Sequence, residues 1–245
     1  IKFWPARGNP HILAAYGIGI TQYLAPFVDV NGNNTYDPAN GDYPAFCGDQ
    51  AVFFVFNDER ASHDSTAGSN HLGFEIRALA EQFLLPGEAL DKHPVNNAMF
   101  VHYEIENKSA NNYSDLFVSM NLDPDVGCFS NDAIGCDTNR HLAYAYNRTA
   151  FDNDCQGIKG YHNLHTAGGV QRLNAPLSSF GFITNGGTYD ELVNDSSYYH
   201  ALRGRWSDGV PYTEGGTGRG GSVPTKFIYP GTPTDLNTWS EVSAG

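Results

Sequence analysis

Glycine and proline interrupt this chain so often that little room is left for helices. There are 27 Gly and 13 Pro in 245 residues, with many Asn between them. Such residues punctuate regular structure, so the pattern predicts short strands joined by elaborate turns. Between the interruptions, apolar and polar residues alternate. AMFVHYEIENKS (98–109) sets Phe100, His102 and Glu104 against Val101, Tyr103 and Ile105, a period of two that predicts a strand. Residues 111–125 are expected as its hairpin partner, turning near 108–112. QAVFFVFND (50–58) reads as a strand bounded by turns. Residues 71–84, 140–147, 178–186 and 226–231 read as further strands. DELVNDSSYYHALRGRW (190–206) has apolar residues near helical spacing and is the best helix candidate. Residues 1–28 read as loop, and the glycine-rich 213–222 as a flexible surface loop lacking the phosphate-loop ending.

The fold class these elements imply is mainly β: a jelly-roll-like β-sandwich with long calcium-braced loops and at most one or two short helices. All-β chains of this length are often single domains, so residues 1–245 are expected to form one β-rich domain. The start at Ile1 and the end in SEVSAG read as a piece of a longer precursor.

Calcium enters through DVNGNNTYDPANGD (29–42). Asp29, Asn31, Asn33, Thr35 and Asp37 occupy positions 1, 3, 5, 7 and 9 of the calcium-loop pattern, where alternate residues deliver oxygens to a hard cation. Two positions depart from it. Asn34 stands where the pattern wants Gly, and Asn40 where it wants a bidentate Glu. Asp42 is the candidate to supply the missing carboxylate. The competing explanation is an Asx-rich turn, which Asn and Asp favour unaided. A second acidic stretch, NLDPDVGCFSNDAIGCD (121–137), brings Asp123, Asp125, Asp132 and Asp137 into one segment. Carboxylates this close repel unless a cation or solvent intervenes, which makes it a second candidate calcium site. Calcium is thus the expected cofactor.

Charge excludes one class of partner. The chain has 27 acidic and 14 basic residues, a net −13, whereas nucleic-acid binding needs a basic footprint. No run of about 18 apolar residues predicts a transmembrane helix. The four cysteines contain no CxxC pair, which argues against a thiolate zinc site. Their even number in an acidic, loop-rich chain predicts disulfides. Three pairings are open, and Cys128–Cys136 with Cys47–Cys155 is preferred because it closes a short loop. HNLH (162–165) offers two histidines without an evident third ligand. Five N-x-[ST] sequons begin at Asn33, Asn107, Asn112, Asn147 and Asn194.

Several blocks run in order along the chain: APFVDVNGNNTYDPANGDYP, GDQAVFFVFND, VHYEIENKS, MNLDPDVGCFSNDAIGCDTNRHLAYAYN, YYHALRGRWSDGVPYTEGGTG and FIYPGTPTDLNTWSE. Together they resemble the large secreted proteins of Bacteroidetes that carry a type IX secretion sorting domain. That resemblance implies export and a place outside the cell or on its outer surface. It also implies that Ser65, in the DST at 64–66, is an O-glycosylation site.

The expected role is a non-catalytic surface module for adhesion, structure or filament building. Its partner would be a surface, a glycan or a protein, with self-association among the options. Two alternatives are carried. A carbohydrate-binding module would need Tyr198, Tyr199, Trp206 and Tyr212 as an exposed platform. A glycoside hydrolase would use Asp123, Asp125 or the pair Glu104 and Glu106, which share one face of a strand.

Overall fold

The structure, a computed structural model, describes residues 1–59, 71–87, 93–184 and 186–244. These fall into two compact units, one up to Asn112 and the other from Tyr113 onward.

The first unit contains α1 (Pro10–Tyr16), β1 (Phe27–Val28), β2 (Tyr43–Pro44), β3 (Gln50–Asn57), β4 (Phe74–Gln82) and β5 (Met99–Asn107). The helix lies inside the segment expected as loop. Asn9 caps it by accepting the His11 N–H, Pro10 starts it, and Gly17 ends it in the left-handed conformation. That is the helix start-and-stop grammar of N-cap, N1 proline and terminal glycine, compressed into seven residues. β3, β4 and β5 form an antiparallel sheet in that order. The register sets Val52 beside Ala80 and Val101, Phe54 beside Ala78 and Tyr103, and Phe56 beside Ile76 and Ile105. Successive side chains point to opposite faces. Phe53 and Leu79, on the other face, pack on a core of Trp4, Ala6, Ala25 and Tyr36. Trp4 Nε1 donates to Pro26 O at 2.7 Å. Tyr36 donates its hydroxyl to Ile1 O at 2.6 Å, so both core aromatics bury a ring while satisfying their polar atom.

The second unit contains β6 (Asp132–Asp137), β7 (Leu142–Asn147), β8 (Ala167–Gln171), α2 (Asp195–Leu202), β9 (Tyr212–Thr213), β10 (Pro224–Thr225) and α3 (Glu241–Ala244). β6, β7 and β8 form an antiparallel sheet, and β9 pairs with β10. A cluster of Trp206, Tyr212, Ile228 and Tyr229 forms the core, with Ile134, Phe182 and Trp239 against it. α2 begins later than the helical pattern suggests because Asn194 caps it through a reciprocal bond with Ser197. The glycine-rich 213–222 is the tip of the β9–β10 hairpin. Gly218 O accepts from Thr213 N at 2.8 Å and from Trp206 Nε1 at 3.2 Å, which ties the tip to the core.

The protein is mainly β, with few short helices and several small antiparallel sheets. Three expectations are corrected. Residues 111–125 form no strand; β5 pairs with β4 instead. Residues 178–186 and 226–231 meet in a single parallel bridge, Phe180 to Phe227, rather than in full strands. Part of the second acidic segment is strand β6, not loop. No helix among the described residues is long and apolar enough to cross a membrane.

Candidate functional site

The oxygen-rich stretch 29–42 joins β1 to β2, whose ladder pairs Phe27 with Pro44 and Val28 with Tyr43. Within it, Asp29 gathers three backbone donors. Oδ1 accepts from Gly32 N at 2.7 Å and Asn33 N at 3.2 Å, and Oδ2 accepts from Asn34 N at 2.7 Å. Asn31 Oδ1 accepts from Asn33 N at 3.1 Å, and Asn33 Oδ1 from Thr35 N at 2.7 Å. The carboxamides of Asn31, Asn33 and Asn40 all converge on Asp37, at 3.1, 2.9 and 3.1 Å. The amides of Asn40 and Asn33 hold the Asp37 carboxyl below the usual carboxylate range. Asn34 adopts φ 59°, the left-handed conformation that the pattern's Gly would supply and that Asn tolerates. The departure at that position is therefore conformationally neutral. Asp42 is buried. It closes the loop by accepting Val30 N–H and Asp37 N–H, each at 2.9 Å.

The second acidic stretch is split by β6. Asp132 and Asp137 sit at opposite ends of this six-residue strand, about 16 Å apart at the usual rise per residue. Asp137 caps the turn after β6, accepting from Asn139 N and Arg140 N at 3.0 Å and pairing with the Arg140 guanidinium at 2.5 Å. The Arg140 backbone and side chain together hold its carboxyl below the ordinary range. It is thus apart from Asp132, and the four acidic residues expected as a second calcium site are not gathered among the described residues.

Asp132 has a different neighbourhood. Oδ2 accepts from Val126 N at 2.8 Å. Burial holds its carboxyl above the ordinary range, and Asp152 and Asp125 add to that effect. The side-chain amide of Asn147 lies 3.1 Å from Val126 O and 3.2 Å from Asp132 Oδ1, and with its nitrogen turned to them it donates to both. Asp152, absent from the candidates above, is buried. It accepts from Cys128 N at 3.3 Å and Tyr161 N at 2.6 Å. Its approach needs Gly127, where φ is +77° and a Cβ would stand 1.9 Å from Asp152 Oδ2. Only its place within FDND (151–154), a polar run beside a cysteine, could have pointed to Asp152. Asp123 and Asp125 are exposed on the loop that precedes this group.

Cys128 bonds to Cys155, with 5.6 Å between their Cα atoms. The expected Cys128–Cys136 and Cys47–Cys155 pairs are replaced. β6 runs extended from Asp132, which carries Cys136 about 13 Å along the strand. There Cys136 is buried, its Sγ 3.5 Å from Ile228 O. Burial, with Asp137 nearby, pushes its thiol up to about 12. Cys47 is a free, exposed thiol. His162 pairs with Asp154 at 2.9 Å and stacks on Phe151, so its partner is a carboxylate of the same hairpin rather than His165.

Among the described residues, no three His, Cys, Asp or Glu side chains stand close enough to share an ion. Cation ligation here would draw on amide and backbone oxygens as well. Ser65 lies outside the described residues. The residues carried for the alternatives are dispersed. Trp206 and Tyr212 are buried, while Tyr198 and Tyr199 are exposed. Glu106 binds Arg77 at 2.6 Å and Lys108 at 2.7 Å, and Glu104 lies 3.7 Å from Arg77. The Lys108 hydrogen bond holds the Glu106 carboxyl below the ordinary range, the reverse of what a general acid needs. No family model matches the chain, and no curated protein or solved structure matches it.

Proposed function

We infer that this chain is a non-catalytic, calcium-stabilised module that works outside the cell or on its outer surface, in adhesion, structure or filament building. The observation that carries it is the 29–42 loop. Its first Asp accepts three successive N–H groups, its alternate residues turn inward on Asp37, and a left-handed residue stands where calcium loops place Gly. The backbone order is that of a calcium loop; the Asn31, Asn33 and Asn40 amides donate to Asp37 and would turn their oxygens inward on an ion. A plain polar turn needs only one or two of these contacts.

A second site centred on Asp132 belongs to the same proposal. It rests on the Asp132 carboxyl, raised by burial with Asp152 and Asp125 near it; the Asn147 amide nitrogen already donates to Val126 O and Asp132 Oδ1, so an ion would have to displace that contact. The sandwich reading also belongs here; it is supported by the antiparallel β3–β4–β5 sheet, which packs one face on Trp4 and exposes apolar side chains on the other. Export by way of a type IX sorting domain is part of the proposal and rests on the resemblance alone.

The test is calcium titration into chelator-treated protein, followed by melting with and without calcium. At a hundredfold excess over Kd, binding adds about 2.7 kcal/mol, a rise in Tm of about 5–10 °C for a chain of this size. Asp29→Ala and Asp37→Ala should each abolish heat at the first site. An unchanged melt and no heat of binding in the native sequence would remove calcium from the account.

A further inference from the structure

One face of the β3–β4–β5 sheet is apolar and uncharged, and among the described residues neither core cluster packs on it. The face carrying Val52, Phe54 and Phe56 on β3 and Val101, Tyr103 and Ile105 on β5 lies opposite the one that packs on Trp4. All six are exposed, as is Met99 at the end of β5; Val52 and Met99 retain 63% and 61% of their surface. An antiparallel sheet that faces water on one side normally shows polar residues there. Here the polar residues are on the other face, where Glu75, Arg77, Glu104 and Glu106 form an ion-pair group. An exposed apolar patch of this extent marks an interaction surface.

We propose that this face is the contact between two copies of the chain, packed sheet on sheet. Three observations favour a second copy over other occupants. The first is charge. The chain carries a net −13, so two copies repel across most approaches. On the three strands, this face has no Asp, Glu, Lys or Arg at any position, so like-charged copies can meet here without bringing charges together. The second is relief. Ala80 makes one end of β4 a shallow trough between β3, where the Phe54 and Phe56 rings stack at 6.2 Å, and β5 with Tyr103 and Ile105, while Ala78 beside it is already buried. A two-fold operation offset by one strand sets each copy's ridge in the other's trough, as an isologous contact requires. The third is area. The seven apolar side chains expose on the order of 600 Å², and the polar residues at the ends of the strands bring this near the roughly 800 Å² per partner of a standard interface. Two such sheets packed face to face form a sandwich, with the second layer supplied by the partner copy. The proposal is independent of calcium.

The test is sedimentation of the chain over a concentration series, in calcium and in chelator, at a salt concentration that screens the net charge. The expected result is a dimer that persists at about 10 μM in both buffers. Phe54→Glu combined with Tyr103→Glu should weaken association at least a hundredfold. Both positions are solvent-exposed in the single copy, so far-ultraviolet circular dichroism should be unchanged. Leu173→Glu, at an exposed leucine in the second unit, should leave association as it was. A folded chain that stays monomeric at about 100 μM overturns the proposal and leaves the face to a different macromolecule. A dimer indifferent to the double substitution overturns it too, because association then uses another surface such as the sheet edges.

Discussion

The backbone N–H of Asp37 donates to the buried carboxylate of Asp42 at 2.9 Å, so one acidic residue of the loop holds another in place. The second oxygen of Asp42 accepts from Val30 at the same distance, which joins the loop's entry to its middle. Asp42→Ala would leave two donors without acceptors and should cost about 3 kcal/mol. Asp42→Asn keeps one acceptor oxygen and should cost about half as much. Urea unfolding in chelator measures both. Equal stability of the two variants would show that the carboxylate is not the brace.

The Cys128–Cys155 bond spans 27 residues. Chain-entropy arguments assign a loop of that size about 3.5 kcal/mol. Cys155→Ser should lower stability by that order, and reductant should reproduce the effect in the native sequence. A thiol reagent should titrate Cys47 quickly in the folded protein. It should reach Cys136 only on unfolding, since burial disfavours the thiolate.

Asp132 makes a sharper test of the second oxygen cluster. Its folded pKa is raised by burial and by neighbouring carboxylates. The stability linked to it is present below the unfolded value near 4 and is lost as pH rises through the folded value. In chelator at pH 7, Asp132→Asn should therefore melt at or above the native temperature, with its advantage shrinking towards pH 4. In calcium the order should reverse, because the variant gives up a charged ligand. A variant that melts lower in chelator as well would argue against a strained carboxylate.

Asp208 provides the opposite sign. Arg219 donates to both its oxygens, at 3.3 and 2.6 Å, while stacked 3.7 Å above the Tyr189 ring. The Arg219 hydrogen bond holds the Asp208 carboxyl below its ordinary range. Its contribution is present above about pH 4 and lost as pH falls through the folded value. The pair is partly exposed, so Asp208→Asn should cost under about 1 kcal/mol at neutral pH. The difference between the two proteins should fade as the melts are taken towards pH 2.

What could be read from the sequence was whatever short range decides. β3, β4, β5 and β7 lie within the stretches where alternation places strands. The spacing of 29–42 marks residues that do converge on Asp37. Pairing was not legible: residues 111–125 alternate well enough for a hairpin, yet β5 is already paired with β4, whose partner residues lie 17–33 positions away. The acidic stretch misled for a related reason. Asp132 and Asp137 are close in sequence, and the extended conformation between them leaves one with Val126 and Asn147 and sends the other to Arg140. Disulfide choice followed the same strand, which removes Cys136 from reach. Asp152 stayed hidden because its environment is made by backbone N–H groups and by a missing side chain at Gly127, neither of which has a residue-type signature.

Tyr36 sits between Thr35 and Asp37, yet its ring is in the core of the first unit, edge-on to Phe27 at 5.5 Å. The loop and the core therefore share one residue, and neither can open alone. In kinetic terms, an ion held at Asp29 and Asp37 would have to depart before Tyr36 could withdraw. The ion's dissociation rate would then set a ceiling on how fast this unit unfolds, and a drop in calcium around the protein would act as a timer on its lifetime.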